Sequence, residues 1–130
     1  MSTLFWFYFQ KGSNLIDTKY IYIASMDIDS EREELFNEIY ETEHIPALLS
    51  VPGVTSIFRT VSEPFSMIMG GVENKINLEE EPKYSAYYEI DSPKVLVSNE
   101  WAEAVEVGRW PTEIRPFTSN RRQVLRKVLI

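Results

Sequence analysis

The sequence predicts an α+β domain in which four antiparallel strands carry two helices on one face. Four short segments rich in β-branched and aromatic residues alternate with two segments of helical periodicity, in the order β-α-β-β-α-β. The chain has 130 residues, which suits one hydrophobic core. Its 44% hydrophobic and 25% charged residues match a globular composition, which argues against disorder. That order is the split βαβ plan of a ferredoxin-like sandwich.

Residues 1–18 read as an N-terminal appendage to a domain spanning 19–130. Leu4–Phe9 (LFWFYF) is an added strand or a plug over a pocket, and Lys11-Gly12-Ser13-Asn14 is turn material. Lys19–Ile28 is the first core strand, rich in Ile and Tyr and free of Gly and Pro. Ser30 and Glu33 have capping-box spacing, so a helix is expected from Glu31, with Leu35, Phe36, Ile39 and Tyr40 as its buried stripe. Pro46 removes an N–H and crowds the preceding turn. A break is therefore expected near His44-Ile45, with a further turn through Leu49.

Val51-Pro52-Gly53 ends the helical region, and Val54–Val61 is the second strand. Ser62–Lys83 is too long for a plain loop, so part of it is expected to form a hairpin arm. Tyr84–Ile90 is the third strand. Ser92–Val107 is the second helix, opened by Ser92-Pro93 and closed by Gly108, and Gln123–Leu129 is the last strand.

These strands do not alternate cleanly. Tyr20, Tyr22, Ala24 and Met26 share one face while Ile21 and Ile23 occupy the other, and Val124 and Val128 oppose Leu125 and Leu129. Two helices cover only one face, so the other is expected to pair with a second copy as a homodimer. Cover within the monomer by residues 1–18 and the long connection is the alternative.

Composition narrows the function classes. With no cysteine there are no disulfides, thiolate nucleophiles or cysteine-ligated metals. A net charge of −7 argues against a nucleic-acid partner. Arg115–Ile130 nevertheless holds five basic residues and no acid. Clustered charge of this kind is either an ion-paired strand, facing Glu31–Glu43 and Glu79–Glu81, or an anion site. No run of about 18 apolar residues suits a membrane span, and the opening aromatic run lacks the features of a signal peptide. A cytoplasmic protein is expected. A lone histidine leaves metal binding to carboxylates without ligand spacing, and no phosphate-binding loop is present, so no metal is expected.

Phe36–Val54 (FNEIYETEHIPALLSVPGV), Tyr84–Trp101 and Gly108–Arg122 (GRWPTEIRPFTSNRR) resemble the dimeric α/β-barrel superfamily, nearest its ethyl tert-butyl ether degradation (EthD-like) branch. The resemblance covers residues 19–129 and implies sheets pairing into a dimeric α/β barrel. It also implies a cofactor-independent enzyme of isomerase, cyclase or oxygenase type, acting on a small aromatic or hydrophobic carbonyl compound. The alternative it allows is a non-catalytic, small-molecule-binding or stress-related module. Related chains often carry an aromatic where this one has Ile39.

His44 is the sole histidine and shares a helix side with Tyr40. Its imidazole either bonds a free helix-end carbonyl or faces a cavity, and the resemblance favours the cavity. His44 is then expected to titrate near neutrality and move a proton, with Tyr40 assisting. By helical angle Glu43 falls within the apolar stripe, either as a pocket carboxylate or, if the helix unwinds there, as an ion-pair partner. Arg59, mid-strand, either pairs with Glu43 or another acid, or binds an anionic substrate. Tyr88, Trp101 and Trp110 are core or pocket-wall candidates, as is Tyr87.

Overall fold

The computed structural model describes residues 18–130, so the expected appendage lies outside the described residues apart from Thr18. β1 (Tyr20–Ile28), β2 (Val54–Val61), β5 (Tyr84–Ile90) and β6 (Thr118–Lys127) form one antiparallel sheet in the order β2-β5-β1-β6. Strand alternation fixes its two faces. Tyr22 lies opposite Tyr88, and Ala24 lies between Ala86 and Gln123; the helices cover this side. On the other side, which no helix among the described residues covers, Phe58, Tyr87, Ile23 and Val124 form one apolar row, a residue from each strand.

The first helical region begins with a 3-10 turn, Ser30–Arg32, before α1 (Glu33–Ile39). The expected capping box does not form. No side chain caps the turn, and the Glu33 carboxylate instead accepts bonds from Lys83 Nζ at 2.8 Å and Tyr84 OH at 3.1 Å. The break expected near His44-Ile45 is a change of helical pitch there, not an interruption, and the expected further turn through Leu49 forms. Tyr40–His44 forms a wide π turn in which the Ile45 N–H donates to the Tyr40 carbonyl, and α2 (Ile45–Leu49) continues in right-handed backbone. The wide turn takes carbonyls out of α-helical register just where the proline ring would clash.

The turn also resets helical phase. At about 100° per residue an unbroken α-helix would place Glu43 about 20° from Phe36, and His44 about 80° away. With the extra residue taken up at Tyr40–His44, the buried series is Phe36, Tyr40, His44 and Leu48, while Glu43 is part-exposed.

Part of the long connection is indeed a hairpin arm. β3 (Phe65–Met69) pairs with β4 (Val72–Ile76) across Gly70-Gly71. Positive φ at both glycines, 59° and 79°, suits the tight primed turn that such hairpins use.

The expected second helix, Ser92–Val107, is two shorter pieces: a 3-10 segment, Pro93–Val97, and α3 (Asn99–Ala104). Ser98 divides them. Its backbone is extended, and its hydroxyl caps α3 by accepting the Trp101 N–H at 3.1 Å. A second π turn, Trp110–Ile114, and a 3-10 turn, Arg115–Phe117, lead into β6. β6 starts earlier and ends earlier than the expected Gln123–Leu129. Among the described residues no helix is long and apolar enough to cross a membrane.

Candidate active site

The wide turn delivers His44 to the space between helices and sheet. Its ring lies flat on Trp110, with centroids 4.0 Å apart and planes 14° from parallel. Tyr40 meets both rings edge-on at 5.0 Å, and its hydroxyl lies 3.2 Å from the Tyr88 hydroxyl. Trp101 from α3 closes the opposite wall, edge-on to Tyr88 at 5.6 Å and to Tyr22 at 5.8 Å. These aromatics, with Ala24, Met26 and Leu48, enclose a cavity of about 140 Å³. Arg115, Arg121 and Gln123 line it from the β6 side.

Burial governs the electrostatics. His44 is only 5% exposed, and its Nδ1 has no hydrogen-bond partner among the described residues. Burial, reinforced by the positive charges of Arg115 and Arg121, lowers its pKa to about 4. Titration near neutrality is therefore not what this environment gives: the imidazole stays neutral, one ring nitrogen an N–H donor and the other an acceptor. Burial also raises the Tyr40 hydroxyl pKa, and pushes Tyr88 well above the ordinary value with help from adjacent Tyr40. Both phenols remain protonated. One proton bridges the two oxygens, which leaves the second hydroxyl proton available to a third acceptor.

Five of the eight residues singled out in the sequence therefore meet at this cavity: His44, Tyr40, Tyr88, Trp101 and Trp110. Three do not. Tyr87 lies on the other sheet face, stacked on Phe58. Glu43, turned out of the stripe by the π turn, accepts the Arg109 backbone N–H at 2.9 Å and Nε–H at 2.7 Å. Those bonds hold its carboxyl pKa below the usual range and make it an ion-pair partner, not a pocket carboxylate. Arg59 does not pair with Glu43. It donates to Asn37 Oδ1 at 2.8 Å, lies 3.7 Å from Glu41, and covers the Tyr40 ring at 4.4 Å. It braces Tyr40 from behind and does not line the cavity.

Tyr22, Arg115, Arg121 and Gln123 were not singled out. Tyr22 had a signal, since it shares a strand face with Ala24 and Met26. The two arginines belonged to the basic run, but nothing local in the sequence says which of its five residues turn inward.

Fold and cavity together define a ferredoxin-like α+β protein with an aromatic, histidine-bearing pocket between sheet and helices. No family model matches the chain, and no curated protein sequence does. Solved structures share its fold. An ethyl tert-butyl ether degradation (EthD) family protein from Bacillus halodurans superposes with a TM-score of 0.53 at 11% identity, over 85% of this chain and 99% of that one. A Nitrosomonas europaea protein assigned as an antibiotic biosynthesis monooxygenase gives 0.50 at 13% identity, over 90% and 96%. Both have ferredoxin-like α/β-barrel folds, and at these identities the likeness is one of fold.

Proposed function

We propose that the cavity is the active site of a cofactor-independent small-molecule enzyme of isomerase, cyclase or oxygenase type, acting on a small aromatic or hydrophobic carbonyl compound. One observation carries this reading: a buried, neutral imidazole, its Nδ1 without a partner among the described residues, stands beside a coupled pair of tyrosine hydroxyls on one cavity wall. A buried ring nitrogen beside a cavity is placed to meet a ligand there.

The chemistry follows from the groups present. A substrate carbonyl oxygen accepts the free hydroxyl proton of the Tyr40–Tyr88 pair. The neutral imidazole removes a proton from the adjacent carbon, and the tyrosines stabilise the negative charge that develops on oxygen. Return of the proton to a different carbon of a conjugated substrate gives an isomer. Attack of the enolate carbon on a second carbonyl of the same substrate closes a ring, the C=O π bond breaking as the C–C bond forms and its oxygen taking the proton held by the imidazolium. The Nitrosomonas europaea neighbour, assigned as a monooxygenase, supports keeping oxygenation among the outcomes. The second reading, a non-catalytic binding module, draws support from the low basicity of His44. Self-association belongs to the proposal too: the apolar row on the sheet face away from the helices pairs with its copy in a homodimer.

The test is deuterium exchange at the carbon beside the carbonyl, followed by proton NMR in D₂O across small aryl ketones and 1,3-dicarbonyl compounds. His44→Phe keeps the stack on Trp110 and should slow exchange by about a hundredfold to ten-thousandfold. Tyr40→Phe should slow it less. Binding without exchange in the wild type would leave the binding-module reading in place of the enzyme.

A further inference from the structure

We infer that the ligand of this cavity carries a carboxylate, or a small anion of similar chemistry, seated against the Arg121 guanidinium. This rests on reading the cavity as a small-molecule site and adds the charge of its substrate. The chain has 20 acidic and 13 basic residues, yet the cavity lining holds two arginines and no aspartate or glutamate.

The two arginines are not equivalent. Arg115 is committed, donating to the Glu106 carboxylate at 3.0 Å and to the Val105 carbonyl at 2.9 Å. Arg121 is not. Among the described residues it forms no ion pair, and its hydrogen bond goes to the neutral Thr118 hydroxyl at 3.2 Å. Neighbouring Arg122, on the opposite face, takes Glu81 at 3.0 Å.

The strand is shaped at this point. β6 carries an extra residue against β1 between the partners of Ser25 and Asp27. Asn120 there adopts left-handed backbone, φ 49°, and its side-chain amide donates to Asp27 and to the Glu80 carbonyl, both at 3.1 Å. The pinned bulge fixes where Arg121 leaves the strand, at the rim of the cavity.

A solvated arginine on an exposed strand is ordinary. This one differs because its charge is felt inside: it disfavours protonation of His44 and favours ionisation of Tyr22 and Tyr40. An anion at the rim completes that arrangement. Size limits the remainder of the ligand. A cavity near 150 Å³ accommodates benzene, so about 140 Å³ suits one ring, with its acid group at Arg121.

The experiment compares benzoate with benzamide, which has the same outline without the charge. It uses calorimetry and the imidazole NMR signals, which His44 alone supplies. Wild-type protein should bind benzoate at least about tenfold tighter, the scale of one charge-assisted hydrogen bond. Arg121→Gln should erase that preference and leave benzamide affinity unchanged. Arg126→Gln, opposite Ile21 on the other sheet face, should change neither. Equal wild-type affinities, or a preference that survives Arg121→Gln, overturn the anion assignment while the cavity remains a small-molecule site. Failure of both compounds to perturb His44 at millimolar concentration overturns the assignment and counts against the small-molecule reading as well. If Arg121→Gln does not fold, the wild-type comparison still decides, and Arg121→Lys should keep part of the preference because it keeps the charge.

Discussion

Because His44 is buried against Trp110 and held neutral, the protein's stability depends on pH with a definite sign. Unfolded chains take up a proton on histidine as pH falls below about 6.5, whereas the native protein resists until about 4. The stabilisation is complete above 6.5 and lost between those values, on the order of 3 kcal/mol. Glu33, Glu43 and Glu106 have pKa values lowered by bonds to Lys83, Arg109 and Arg115. Their contributions are present above the ordinary carboxylate range and are lost only at lower pH. The interval from about 6.5 to 5 therefore isolates the histidine. Melting temperature should fall through it in the wild type and stay level in His44→Phe; parallel curves would mean that His44 is not held neutral. Residue chemistry was legible in part: a sole histidine near a tyrosine stood out, but its basicity depends on Trp110, Arg115 and Arg121, all far away in sequence.

Among the elements, strands were the most readable, because alternation and β-branched content act over a few residues. Helix phase was not, and Glu43 shows why. The α-helical angle that assigned it to the apolar stripe assumes a constant pitch, and the π turn breaks that assumption. Ser98 left a signal, a capping hydroxyl three residues before Trp101, but the helix was read from its ends, Ser92-Pro93 and Gly108, which say nothing of an internal division. The wide turn contains one residue more than regular α-helix needs. With the ring clash removed by Pro46→Ala, deleting exposed Thr42 should therefore convert it to a regular turn, with Tyr40 and His44 still on the cavity side. Deleting Glu38 rotates fully buried Ile39 and Tyr40 by about 100° and should cost several kcal/mol. Urea melts of the two variants, with the His44–Trp110 contact followed by NMR, separate these outcomes. Equal destabilisation would mean that the turn is not spare length.

At the scale of the whole molecule, no helix among the described residues covers the second sheet face. Phe58, 47% exposed, stacks on Tyr87 with planes 1° apart and centroids 4.8 Å apart, and the row continues through Ile23 to Val124. If a second copy covers it, sedimentation equilibrium at micromolar concentration should give twice 15.2 kDa, and Phe58→Asp should give 15.2 kDa. A wild-type chain that sediments as a monomer removes the homodimer. The sequence announced this surface because its strands are apolar on both faces, although it could not supply the register that aligns the row. Pocket and row lie on opposite sides of a single sheet, so successive codons serve different tasks: Tyr87 belongs to the row and Tyr88 to the pocket. Under the proposed homodimer and active site, mutations one codon apart should then give separate phenotypes, Tyr87 substitutions affecting assembly and Tyr88 substitutions affecting chemistry. Selection on ligand and selection on partnership can act on the same strand with little interference.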